Sequence, residues 1–231
     1  MSVFQGKLVG RITLFLFAAL VVTSVDAASY QKNDGTIVNP ILDTGGNVLA
    51  YSGPNLEPSA QLQHANLSGA HLTDAALSQA NLKYANLADA HLGGANLTGA
   101  DLSGVQLFYA DLTDADLNSA NLNGADLTAA DLNNANLTAA ILSDAILDSA
   151  VLSSADLSGS ILTDVWNYND ATWTDAFYYT DNEPTWDSGM DAAWRSNAGI
   201  LALAPTSSVP EPAALLLALL GLALLPRRRR R

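Results

Sequence analysis

Residues 110–129 read Ala110-Asp111-Leu112-Thr113-Asp114, Ala115-Asp116-Leu117-Asn118-Ser119, Ala120-Asn121-Leu122-Asn123-Gly124, Ala125-Asp126-Leu127-Thr128-Ala129, which is one five-residue phrase four times over. The phrase extends well beyond this stretch. From Leu62 to Leu162 leucine stands at every fifth position, 21 times in all, and two residues before it stands alanine in 19 cases, with Val105 and Ser160 as the exceptions. A period held over a hundred residues has to be explained before anything else in the chain.

An amphipathic helix cannot account for it. Steps of five turn a helix by about 500°, so successive leucines would spiral over every face and leave no polar side. A flat strand fails as well, because side chains alternate and an odd spacing throws every second leucine to the other face. A chain that is extended over three residues and then turns a corner satisfies the pattern. Alanine and leucine, two apart, then point the same way on each side, and each corner resets the direction. All 21 leucines can line one interior, provided that successive coils stack and pair their backbones about 4.8 Å apart.

The phrase Ala-Asn/Asp-Leu-x-x, as at Ala65-Asn66-Leu67, Ala95-Asn96-Leu97, Ala115-Asp116-Leu117 and Ala135-Asn136-Leu137, resembles the pentapeptide-repeat family over residues 60 to 164. The resemblance implies an all-β fold, a right-handed quadrilateral β-helix with about twenty residues per coil, hence about five coils and roughly 25 Å of stack. The outward position before leucine is then a place that any polar residue can fill. It departs from Asn or Asp at Ala76 and, late in the tract, at Ile141, Ile146, Val151 and Ile161. With twenty residues per coil those four late residues form an apolar belt on the last coil, either covered by a flanking segment or offered to a partner subunit or protein.

The flanks read as caps. All four tryptophans, Trp166, Trp173, Trp186 and Trp194, follow the repeats within 29 residues. Ala171-x-Trp173 and Ala176-x-Tyr178 keep the small-then-large spacing, one residue out of register with Leu162. This predicts a degenerate last turn and a short cap through Trp194, since an open solenoid end exposes its core and a strand edge. Before the repeats, turn signals at Asp34-Gly35 and Thr44-Gly45-Gly46-Asn47 suggest a small hairpin closing the first coil.

Both termini read as processing signals. Residues 1–27 have a short basic start, the apolar run Ile12 to Val22 and a small-residue site at Val25-x-Ala27, the layout of a secretory signal peptide. The C-terminus carries Pro210-Glu211-Pro212, an uncharged run from Ala213 to Leu225, and Arg227, Arg228, Arg229, Arg230 and Arg231. It resembles the PEP-CTERM sorting signal of Gram-negative bacteria. That resemblance implies an exosortase-type enzyme as partner, passage through the inner membrane by the C-terminal segment, and delivery to the cell surface, outer membrane or extracellular matrix. The reading gives a signal peptide at 1–27, an N-terminal β cap at 28–59, the solenoid at 60–165, an aromatic cap and linker at 166–208 and the sorting and transmembrane segment at 209–231.

Between the two signals the charge is strongly negative. Ala28 to Val209 holds three cations, Lys32, Lys83 and Arg195, against 21 acids. Such a surface repels phosphate backbones, which argues against nucleic acid as a partner. It attracts cations, basic proteins or basic polymers. The chain has no cysteine, so thiolate chemistry and disulfides are excluded.

Candidate chemistry is sparse. His71, His91 and Asp111 fall in one row at a spacing of twenty and form the one constellation with metal-ligating residue types. No nucleophile, base and acid converge, no phosphate loop is present, and neither an enzyme nor a cofactor is expected. The leading expectation is a non-catalytic, exported, acidic structural or interaction scaffold. Two alternatives are a DNA-mimicking binder of a DNA-associated protein, as the family resemblance suggests, and a carbohydrate-binding module built on the tryptophan segment. A protein or polysaccharide at the cell surface, or a second copy of the chain, would be the partner.

Overall fold

The computed structural model describes residues 29–38, 41–49 and 55–204. The signal-peptide and sorting-signal readings therefore lie outside the described residues.

Each pentapeptide forms one side of a coil. The residue before leucine makes a parallel bridge to the residue twenty positions on, from Gln61 with Asn81 through to Ile146 with Trp166. Three backbone bonds per repeat hold neighbouring coils together. Leu97 donates to the Asp116 carbonyl (2.8 Å), Gly99 donates to the Asn118 carbonyl (2.8 Å), and Asp116 donates back to the Ala95 carbonyl (2.9 Å). A fourth bond closes each corner from Leu62 to Leu157, as Ala100 N–H donates to the Leu97 carbonyl (2.9 Å).

The corners decide which residues can follow leucine. The second residue after every repeat leucine has a positive φ, between +54° and +67° from His64 to Asp164, while the first does not. With the corner bond this is a type II turn, whose third residue must enter the left-handed region. Only six of those 21 corner residues are glycine. The others carry a strain of about 1–2 kcal/mol each, which stacking of the coils has to offset. Gly104 is a corner where glycine is required for a second reason: a Cβ there would lie 2.5 Å from the Tyr84 ring of the preceding coil.

The core is the leucine axis foreseen from the period. All 21 repeat leucines are at most 1% exposed, with the alanines from Ala70 to Ala155 buried beside them. The two exceptions to alanine are accommodated differently. Val105 is simply buried, whereas the fully buried Ser160 hydroxyl donates to the Leu157 carbonyl at 2.8 Å.

At the N-terminal end there are two antiparallel turns of chain, not one hairpin. β1 (Tyr30–Gln31) pairs with β2 (Ile37–Val38), and a second turn is closed by a bridge between Leu42 and Val48. Both run antiparallel to the edge of the first coil, Lys32 against Ala75 and Asp43 against Ala70. Asp34 and Asp43 set these turns by accepting backbone N–H groups, chiefly from Thr36 and Asn47, which hold both carboxyls below the ordinary carboxylate range. That contribution is complete at neutral pH and is lost as the pH falls through the lowered values.

At the other end the register changes as the sequence implies. β3 (Ile161–Leu162) pairs in parallel with β5 (Thr185–Trp186), and β4 (Phe177–Tyr179) with β6 (Leu201–Leu203). Bridges Val151 to Thr172 and Asp156 to Phe177 span 21 residues, one more than a regular coil. The ordered segment runs past Trp194 through a short helix, α1 (Ala192–Ala198), and β6. Asp191 caps α1 by accepting the Trp194 N–H (2.7 Å), and Gly199 ends it with a φ of +82°. Trp173, Ala176, Tyr178, Met190 and Ile200 continue the leucine core.

Candidate functional site

The outward position before leucine is more selective than a merely polar site. In this geometry the residue just after leucine has no backbone acceptor among the described residues, because its N–H points away from the neighbouring coil. Asn or Asp two residues earlier supplies one. All twelve Asn and Asp residues at this position, from Asn66 to Asp156, accept that N–H, for example Asp126 from Thr128 (3.0 Å) and Asp156 from Ser158 (2.9 Å). This is an Asx turn built into every such repeat. Asp126→Ala is expected to lower stability by about 1 kcal/mol, and Asp126→Asn to leave it nearly unchanged, since an amide oxygen also accepts. Urea unfolding of the two variants separates a backbone role from a charge role.

The same side chains form ladders along the wall. The Asn136 amide donates to the Asp116 carboxylate (3.0 Å) and Asn121 to Asp101 (3.3 Å), each across one coil. Asparagine thus donates hydrogen bonds to the carboxylate row as well as spacing its charges.

His71 and His91 do sit in one row, with ring centroids 4.6 Å apart and planes tilted by 50°. Asp111 does not complete a ligand set. Its carboxylate accepts the Thr113 N–H (3.0 Å) and leans along the wall toward Gly93. Among the described residues no three His, Asp or Glu side chains are gathered so as to hold a metal ion. The Asx turn occupies one oxygen of the Asp111 carboxylate, although Asp111 bridges His91 in the same row.

Ile141, Ile146, Val151 and Ile161 lie on the outside of the last coil. Ile141 keeps 36% of its surface exposed and the other three are half-buried. The following chain stacks beyond them, as Trp166 bridges Ile146 and Thr185 pairs with Ile161, and does not wrap over the belt. Trp166, 62% exposed, lengthens the apolar strip.

The other three tryptophans are engaged in packing. Trp173 is 2% exposed and its indole N–H donates to the Tyr168 carbonyl (2.9 Å). Trp186 donates to Glu183 (3.3 Å) and lies beneath the Arg195 guanidinium, 4.9 Å from its centroid. Trp194 donates to Asn169 (2.8 Å) and meets Tyr168 and Trp173 edge-on at 5.1 and 5.8 Å. An open cleft of about 380 Å³ lies beside Trp194, between α1 and residues 169–174.

A family model described as pentapeptide repeats (8 copies) matches residues 60–99, 85–124 and 125–164. A solved pentapeptide repeat protein, alr5209 from Nostoc Pcc 7120, is 34% identical over 51% of this chain and 84% of its own, with a TM-score of 0.32. The chain belongs to the pentapeptide-repeat family. Two further solved members are similar. Rfr23 from the cyanobacterium Cyanothece 51142 is 33% identical over 44% of this chain, with a TM-score of 0.30. AT2G44920 from the Arabidopsis thaliana thylakoid lumen is 30% identical over 46% of this chain and 68% of its own, with a TM-score of 0.29. This chain spans 64% of the length of Rfr23. No curated protein matches the chain. Membership carries the right-handed β-helix, in a family whose members are mostly structural or interaction proteins without catalytic activity.

Proposed function

We propose that this pentapeptide-repeat protein is a non-catalytic, exported scaffold that presents an acidic wall at the cell surface or in the surrounding polysaccharide matrix. The observation that carries the reading is the fate of the twelve outward Asn and Asp side chains, each tied to its own turn along the wall and none converging with others into a cleft. Groups so arranged suit a repetitive surface for binding and do not suit acid–base chemistry. With three cations against 21 acids between the terminal signals, that surface favours basic proteins or polymers. The belt from Ile141 to Ile161 with Trp166 would supply an apolar contact beside it.

In this reading about five coils stand between two caps. The N-terminal turns lie along the first strand edge, and the segment from Trp166 to Leu203 closes the last, which keeps the stack from adding further chains end to end. The signal at residues 1–27 exports the chain, and Pro210-Glu211-Pro212 with the five terminal arginines directs an exosortase-type enzyme to it. Five arginines are held on the cytoplasmic side because carrying them through hydrocarbon is prohibitively costly.

Deleting Pro210 to Arg231 tests the sorting half of the proposal. The truncated chain is expected to leave the membrane and surface fractions and collect in the periplasm or medium. An unchanged distribution by fractionation would contradict it.

A further inference from the structure

The cleft beside Trp194 differs in character from the rest of this acidic chain. It is lined by Asn169, Thr172, Trp173, Thr174, Trp194 and Asn197, together with two alanines, and none of these side chains ionises. The acids adjacent in sequence, Asp170 and Asp175, are not part of its lining. Its walls come from two elements of the fold. Thr172 belongs to the last row of the stack, where its N–H donates to the Ala150 carbonyl (2.8 Å), and Asn197 lies on α1. Asn169 uses its carbonyl oxygen to accept the Trp194 indole N–H, which fixes the amide and leaves its NH₂ donors for another partner.

We propose that this cleft binds an uncharged sugar unit of a polysaccharide. An indole surface offers an apolar platform for the C–H face of a sugar ring. Two amides and two hydroxyls around it supply both donors and acceptors for ring hydroxyls. The size lies within the range of about 300–1,000 Å³ usual for small-ligand clefts. A cation or a basic peptide would find no carboxylate in this lining to pair with, and an anionic sugar would meet no cation there. The assignment also moves the carbohydrate reading of the tryptophan segment. Trp173 is buried and Trp186 is covered by Arg195, whereas the partly buried Trp194 lines the cleft together with Asn169 and Asn197. The inference does not depend on how the chain is delivered, so it can fail without affecting the sorting proposal.

The test titrates the full chain with cellohexaose, maltohexaose, xylohexaose and chitohexaose, and with an alginate hexamer as the acidic counterpart, following tryptophan fluorescence and calorimetric heat. At least one neutral hexasaccharide is expected to bind. Its affinity is expected to fall at least about tenfold in Asn197→Ala and in Thr174→Val, as loss of a well-made hydrogen bond implies. Tyr109→Ala, which removes an exposed aromatic residue outside the cleft, should leave affinity within about twofold. Near-UV circular dichroism identifies which of the two cleft variants keeps the native packing, and that variant decides. Three results would overturn the proposal: no neutral hexasaccharide bound more tightly than about 10 mM, wild-type affinity in a natively packed cleft variant, or preference for the alginate hexamer.

Discussion

Replacing Leu117 with aspartate is expected to abolish folding of the repeat tract, and replacing it with alanine to cost about 2–5 kcal/mol. Leu117 is fully buried, and its neighbours along the axis, Leu97 and Leu137, are fully buried too. Removing three carbons leaves a cavity that rigid coils cannot collapse into, because each backbone is bonded to the coils above and below. An ionised carboxylate at the same place has no partner in an interior of leucine and alanine. A domain holds about 5–15 kcal/mol in all, so the alanine variant loses a large share of it. The measurement is urea unfolding followed by far-UV circular dichroism. A shift for Leu117→Ala below about 0.5 kcal/mol would place this leucine outside the core.

Trp173→Ala is expected to have an effect of similar size, about 3–5 kcal/mol, at the end of the stack. Trp173 is 2% exposed, sits in the same core cluster as the repeat leucines, and packs edge-on against Trp194. Its loss removes buried area and leaves the Tyr168 carbonyl without its indole donor. The segment that follows should loosen and uncover the strand edges that β5 and β6 now pair with. Two readouts are expected together: loss of near-UV signal, and concentration-dependent association by light scattering, since an uncovered edge recruits further strands. Native stability with no association would mean that the terminal segment is not part of the core.

Much of this architecture is legible in the sequence because a leucine every five residues leaves only one geometry that buries them all. The slipped register at Ala171-x-Trp173 is legible for the same reason, and the bridge from Val151 to Thr172 has the extra residue it implies. What the spacing does not reveal is where backbone N–H groups go. Twelve Asn and Asp residues answer a demand of the turn that becomes visible only once the corner is built, and at Asp111, which keeps its place in the row beside His91, that demand occupies one carboxylate oxygen. A signal was nevertheless present. The second residue after leucine is drawn mainly from Gly, Asp, Asn and Ser, the types that tolerate left-handed backbone or favour turns. Helix α1 is not legible because a helix of seven residues is too short for a period to show, and the cleft beside Trp194 depends on that helix.

The central claim is that residues twenty apart are neighbours on one wall while residues ten apart lie on opposite walls. A chain with no native cysteine allows a direct test by paired substitution. Asp116 and Asn136 are bridged, with side chains in contact at 3.0 Å, and parallel neighbours about 4.8 Å apart fall within the reach of a disulfide. Asp116→Cys with Asn136→Cys is therefore expected to oxidise to an intramolecular disulfide in the folded chain, while Asp116→Cys with Asp126→Cys, placed across the core, is expected to stay reduced. Formation of the second disulfide in preference to the first, under native conditions, would contradict the coil.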